Sequence, residues 1–226
     1  MKKKTASKTS KVSTKELHLK NAIYFFAYLF VVWGFYRLLF QAPAPLDDVL
    51  LKPLIWLVPL FLILKKEKRG FDSIGVTGNR LVSAIYISLF LGFIFSIQGL
   101  AINFLKYRGL DFRADIGTSV LTGALLVSTI AAISEELVFR GYIFGRLSEY
   151  LKNERSAIVI STLAWVAIHM PVAIFDWRLS FGSLLQYLVL VAIYGFGATI
   201  LYSKIRNIAA PILLHVLWTW PIILFR

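Results

Sequence analysis

Two adjacent carboxylates and an arginine stand inside a long apolar run, Ser134-Glu135-Glu136-Leu137-Val138-Phe139-Arg140. Residues 118–133 before it are almost wholly Leu, Val, Ile, Ala, Thr and Ser, and Tyr142-Ile143-Phe144 after it is apolar again. As a helix, this stretch puts Glu136 and Arg140 at i and i+4 on one stripe, where they can pair, and turns Glu135 about 100° round the axis. The two acids therefore have different work open to them. An ionisable side chain near the middle of a membrane helix costs on the order of 3 kcal/mol, so three in one span mark a functional site. The plain alternative is a helix that has left the lipid and carries solvated charges; the apolar residues that resume after Arg140 argue against it.

The chain has three histidines, of which His18 lies in a polar tail while His169 and His215 lie inside apolar runs. At about 1.5 Å per residue, Glu135 falls roughly 16 Å from Arg146, His169 roughly 21 Å from Arg155 and His215 roughly 13 Å from Arg206. If each basic residue marks the same end of its helix, all three polar side chains reach the middle of a core about 30 Å thick. A single histidine in a membrane span is ordinarily an interhelical hydrogen-bonder, but matching depths on three helices point to one site. Two chemistries fit. In the first, a carboxylate and a histidine take a proton from water while another histidine stabilises the oxyanion formed at a carbonyl. In the second, two His and one or two Glu hold a metal, although no tight signature such as H-E-x-x-H is present. Ser134 and Ser161 have no histidine at motif spacing, which leaves a serine nucleophile unsupported.

The elements that must position these residues are membrane helices. The chain is 58% hydrophobic and 16% charged over 226 residues, with mean hydropathy +0.72, too apolar for a water-soluble domain. It contains no cysteine, which excludes disulfides, a thiolate nucleophile and Cys-ligated metal. The net charge of +13 gathers in a tail and in loops between apolar runs, a pattern of membrane topology rather than of nucleic-acid binding. Residues 1–20 hold seven lysines against one acid, Glu16, and read as a disordered basic tail that can touch anionic lipid. The apolar run after it is too long for a signal peptide, and Phe40-Gln41-Ala42-Pro43 is a poor cleavage site.

About seven spans are expected, at residues 21–40, 49–64, 81–105, 117–145, 156–175, 181–203 and 208–225. Pro53 and Pro59 should kink or tilt the short second span. Gly141 and Gly145 on the fourth, with Gly195 and Gly197 on the sixth, would let backbones approach closely. With the spans alternating, 18 Lys and Arg fall on the side of the N-terminus and 6 on the other, which predicts a cytoplasmic N-terminus and the Asp47-Asp48 loop outside. The chain divides into a tail (1–20), N-terminal helices (21–116) and a catalytic core (117–226), together an all-α polytopic transmembrane bundle.

At this point the motifs become specific. Glu135-Glu136-Leu137-Val138-Phe139-Arg140-Gly141 resembles the E-E-x-x-x-R motif of the CPBP family, the CAAX proteases and bacteriocin-processing enzymes also called the ABI family. Trp165-Val166-Ala167-Ile168-His169 is similar to the second motif of that family, F-x-x-x-H, with Trp for Phe. The segment Ala210-Pro211-Ile212-Leu213-Leu214-His215-Val216-Leu217-Trp218-Thr219 resembles the third, A-P-x-x-x-H-x-x-x-N, with Thr219 where Asn is usual. The resemblance implies a glutamic intramembrane endopeptidase without metal or cofactor, in which Glu135 with His169 activates water. It places His215 and Thr219 at the oxyanion, and has Glu136, paired to Arg140, orient the carboxylate and the substrate backbone. A threonine hydroxyl offers one donor in place of the amide. Partners would be the lipid bilayer and a membrane-delivered peptide or protein, with no nucleic acid; the expected location is a bacterial inner membrane. The other readings open at this stage are an inactive member acting as an immunity protein or membrane scaffold, and a proton-coupled transporter. The lack of internal repeats counts against the transporter.

Overall fold

The computed structural model describes residues 13–40, 42–43, 46–110 and 121–224, and among them every regular element is helical. Helix α1 spans Thr14–Leu39, α2 Lys52–Glu67, α3 Leu81–Tyr107, α4 Leu121–Glu136, α5 Gly145–Leu151, α6 Glu154–Pro171, α7 Phe181–Ile205 and α8 Ala209–Leu224. A π-helical segment, Leu137–Phe144, joins α4 to α5, so the two form one rod. The described residues thus contain seven rods, in the order and near the positions expected. Most of the tail and residues 111–120, which include the expected start of the fourth span, lie outside the described residues.

Helix α1 begins at Thr14, inside the segment expected to be tail. The Ser13 side chain accepts from Glu16 N and caps the first turn, and Lys20 pairs with Glu16 one turn back at 3.1 Å. Four stretches are long and apolar enough to cross a membrane: Thr14–Tyr36, Leu81–Leu105, Glu154–Asp176 and Phe181–Ile205. The other three rods fall short for visible reasons. Helix α2 is 16 residues long, the α4–α5 rod carries the charged motif, and α8 is 16 residues long among the described residues. Pro59 sits inside α2 without ending it, and Pro53 is the second residue of α2. The Asp47-Asp48 segment, expected as a loop, is a π turn, Asp47–Leu51, that leads into α2.

The α4–α5 rod is the axis of the bundle. All eight residues of its π segment are buried, with α1, α2, α6 and α7 packed around it. Side chains from four of these elements meet there: Phe139 stands edge-on to Trp165 at 5.0 Å between ring centroids and tilted to Trp56 at 5.9 Å, and Phe25 stands edge-on to Tyr142 at 5.8 Å. Helix α3 lies along α8, and α6 along α7. Two of the four glycines expected to admit close approach do so. A Cβ at Gly141 would come within 2.8 Å of Ile74 O, and one at Gly195 within 2.6 Å of Trp165 Cδ1, whereas Gly145 and Gly197 are not in tight contact.

One end of the bundle is tied by polar contacts between connections. Ile208 N donates to Gly75 O at 2.9 Å. Asn207 Nδ2 donates to Thr77 O and to Asn79 O, each at 2.8 Å, and Arg80 Nη1 donates to Lys204 O at 2.9 Å. The connections at 68–80, 152–153 and 206–208 therefore share one end, as alternating spans require. Arg146, used above to mark the limit of the fourth span, is itself buried. Its Nη2 lies 2.9 Å from Glu67 Oε2, and Tyr142 OH donates to the other oxygen of the same carboxylate at 2.7 Å. That pairing lets the rod run on to Leu151.

Candidate active site

The acidic pair lies where the α-helix of the central rod gives way to π geometry. A π turn widens the backbone by one residue and recurs at functional sites because it offsets the side chains on either side of it. Glu135 and Glu136 close α4, and Arg140 stands within the π segment. The expected pair forms: Arg140 Nη1 is 3.0 Å from Glu136 Oε1, with both side chains essentially inaccessible.

That one oxygen collects two further donors from other helices. Tyr194 OH on α7 donates to Glu136 Oε1 at 2.9 Å, and His215 Nδ1 on α8 lies 2.8 Å from it. Arg140 is held in turn by its surroundings: its guanidinium carbon lies 4.0 Å from the Trp165 ring centroid and 5.3 Å from that of Tyr194. Cations over aromatic faces in a dry site gain up to about 2 kcal/mol. Glu136 is thus the hub that joins α4, the π segment, α7 and α8.

Glu135 faces elsewhere. Its Oε1 accepts from Lys52 Nζ at 2.7 Å, and Lys52 also pairs with Asp48 at 2.8 Å. Lys52 was not singled out from the sequence, where it falls near the start of the expected second span at 49–64. The signal that would have found it is Asp48 four residues earlier, an i,i+4 pair leading into an apolar helix.

His169 Nδ1 lies 2.7 Å from Trp165 O. A carbonyl only accepts, so Nδ1 carries the proton and the neutral ring keeps a lone pair on Nε2. His215 faces a carboxylate in the same way through Nδ1, so its Nε2 also points away from the protein partner. The Trp165 ring separates the two histidines, with centroid distances of 4.4 Å to His169 and 5.8 Å to His215. The aromatic of the second motif is therefore a wall shared by both rings. Thr219 is one turn beyond His215, where its Oγ1 donates within its own helix to Val216 O at 2.9 Å. Ser128 on α4 is 3.1 Å from the same oxygen. Tyr194, Ser128 and Lys52 complete the site, and no motif spacing pointed to any of them.

The six expected residues fall into two groups. Glu136, Arg140 and His215 are joined directly, while Glu135, His169 and Thr219 each bond to something else. The protein hydrogen bond of His169 goes to Trp165 O, not to Glu135. Among the described residues no group of three or more His, Asp or Glu is arranged to hold a metal ion.

A buried carboxylate, arginine and two histidines inside an all-helical bundle with membrane-crossing helices define an integral membrane protein with an ionisable site in its core. Residues 117–221 match the family described as type II CAAX prenyl endopeptidase Rce1-like. UPF0177 protein YxdF of Lactococcus lactis subsp. lactis (strain IL1403) is 32% identical over 109 residues, which is 45% of this chain and 52% of that protein. The chain thus aligns with about half the length of this curated relative. No solved structure matches. The match over 117–221 contains all three motifs and, with that relative, supports a likeness of this part of the chain to the CAAX-protease (CPBP) family.

Proposed function

We propose that the protein is an intramembrane endopeptidase in which Glu135 and His169 activate water. The observation that carries this reading is the unequal engagement of two neighbouring carboxylates. Glu136 is fully buried, with three donors on Oε1, and its Oε2 is enclosed without a hydrogen-bond partner among the described residues. Glu135 is 8% exposed, and among the described residues only its Oε1 bonds to protein, so its Oε2 is the carboxylate oxygen that water can reach.

In this mechanism the water oxygen forms a bond to the scissile carbonyl carbon as its proton passes to Glu135 Oε2, with His169 Nε2 orienting the second proton. The carbonyl oxygen becomes an oxyanion. Glu135 then returns the proton to the amide nitrogen as the C–N bond breaks, leaving a carboxylic acid and an amine, and the acid's proton passes to the amine to give a carboxylate and an ammonium. To stabilise the oxyanion through Nε2, His215 must carry both ring protons, one directed at Glu136 Oε1 and the other at the oxyanion. Thr219 contributes only if its proton turns away from Val216 O. The substrate is a peptide or protein delivered by the membrane: a prenylated CAAX terminus, a bacteriocin or pheromone peptide, or a sorting tail. The protein resides in a bacterial cell membrane with its N-terminus in the cytoplasm. Cysteines placed at Lys68 and Arg178, at opposite ends of the bundle, should be labelled from the cytosolic and external sides respectively, and the reverse pattern would overturn the orientation.

Comparison of membrane peptidomes from a deletion strain complemented with wild type or with Glu135→Gln tests the activity and names the substrate. Peptides that accumulate in both the deletion and the Glu135→Gln strain are the expected result. One observation favours a second reading, a membrane scaffold or immunity protein: the usual amide donor is replaced by a hydroxyl already committed to its own helix. Full biological function in Glu135→Gln, with loss in Arg140→Ala, would establish that reading instead.

A further inference from the structure

We propose that Lys52 is a positioning residue for Glu135, holding the carboxylate ionised through Oε1 and reserving Oε2 for the attacking water. The proposal draws its catalytic consequence from the peptidase reading; its geometry stands independently. Lys52 is 7% exposed and comes from a helix outside the matched segment, reaching Glu135 across 83 residues of sequence. Its ammonium lies 5.6 Å and 6.0 Å from the ring centroids of Trp33 and Trp56. Aromatic faces and two carboxylates therefore surround the amine and fix it in place.

The charge balance gives the arrangement a purpose. Glu136, Arg140 and the doubly protonated His215 of this mechanism sum to one positive charge. Asp48, Lys52 and Glu135 sum to one negative charge, which becomes zero when Glu135 accepts a proton from water. The base thus discharges a buried negative charge at the step where a new one forms on the oxyanion. Without the ammonium, two carboxylates that now share one nitrogen would stand together unneutralised in a dry site. Like-charged carboxylates in that situation share a proton, and a protonated Glu135 cannot act as a base. An ammonium on Oε1 also fixes the plane of the carboxylate, and so the direction in which Oε2 faces.

The test uses the full chain in liposomes with Lys52→Met, Lys52→Arg and Lys52→Met/Glu135→Gln. Infrared spectra should show a protonated carboxyl band in Lys52→Met that is absent from wild type and lost again in the double variant. Turnover of the peptides that accumulate in the Glu135→Gln strain should fall on the order of 100-fold in Lys52→Met, with KM little changed, and Lys52→Arg should restore part of it. If Lys52→Met fails to fold, Lys52→Gln keeps a donor without the charge and carries the same two readouts. Wild-type turnover in a folded Lys52→Met, with no new carboxyl band, would overturn the proposal while leaving Glu135 as the base. If Glu135→Gln itself cleaves normally, the peptidase reading fails, and the infrared band alone decides whether Lys52 holds Glu135 ionised.

Discussion

Arg140 and Arg146 lie on the same rod, and each neutralises a carboxylate that is out of reach of solvent, yet the two pairs serve different ends. Arg140 reaches back to Glu136 on its own helix, and that carboxylate goes on to bind Tyr194 and His215. Arg146 reaches Glu67 at the end of α2, where Tyr142 and Asn21 bond to the same carboxylate. The first pair places a histidine in the middle of the bundle; the second joins three rods at one end. Neutralising a buried charge is common to both, so burial by itself does not mark the chemistry. What separates them is whether the paired carboxylate also holds a group with a free ring nitrogen.

The largest effect should come at Glu135, which has no counterpart at the bundle end. Glu135→Gln keeps shape and hydrogen bonding, and Lys52 retains Asp48, so thermal unfolding should change little while turnover falls about 100- to 10,000-fold. Cleavage near the wild-type rate would erase the distinction between the two regions.

Next come the arginines themselves. Arg140→Ala and Arg146→Ala each leave a buried carboxylate uncompensated, a loss of about 3–5 kcal/mol, and both should lower the unfolding temperature in detergent. Per folded molecule, Arg146→Ala should cleave normally and Arg140→Ala should not. Equal specific activities would show that Glu136 is as purely structural as Glu67. Glu136→Gln combined with Arg140→Gln should regain stability relative to Arg140→Ala without regaining turnover, because a neutral amide no longer holds His215 by a charge-assisted hydrogen bond.

Smaller effects sharpen the edge of the site. Thr219→Asn should keep or raise the rate, and Thr219→Val should lower it, by at most the 100-fold or so that an oxyanion donor is worth. No difference among the three would remove Thr219 from the mechanism and leave His215 as the oxyanion donor. The smallest expected effect is none: chelators should leave cleavage by the reconstituted protein intact. Stoichiometric zinc in the purified protein, with activity lost on its removal, would move the site to the metal-binding chemistry that its donor types also permit.

The membrane class, the order of the helices and the Glu136–Arg140 pair were legible in the sequence because each depends on composition or on local spacing. A helix that forms at 121–136 and continues through Arg140 brings i and i+4 together whatever packs around it. That His169 and His215 would come level with each other was legible for the same reason, since rise per residue is a property of one helix, and in the structure both rings lie against Trp165. Their partners were not legible. Which donors meet on Glu136 Oε1, and that Glu135 is taken by a lysine from α2, depended on contacts 58, 79 and 83 residues apart in sequence. Rotation of each helix about its axis sets those contacts, and the apolar faces of α2, α7 and α8 must pack before that rotation is determined. The sequence alone thus determined what kinds of groups enter the core and at what level, because helix periodicity and the exclusion of charge from lipid act locally. Only the tertiary structure decided which carboxylate is sealed off under three donors and which stays accessible with one, because that choice lies in the relative rotation of helices distant in sequence.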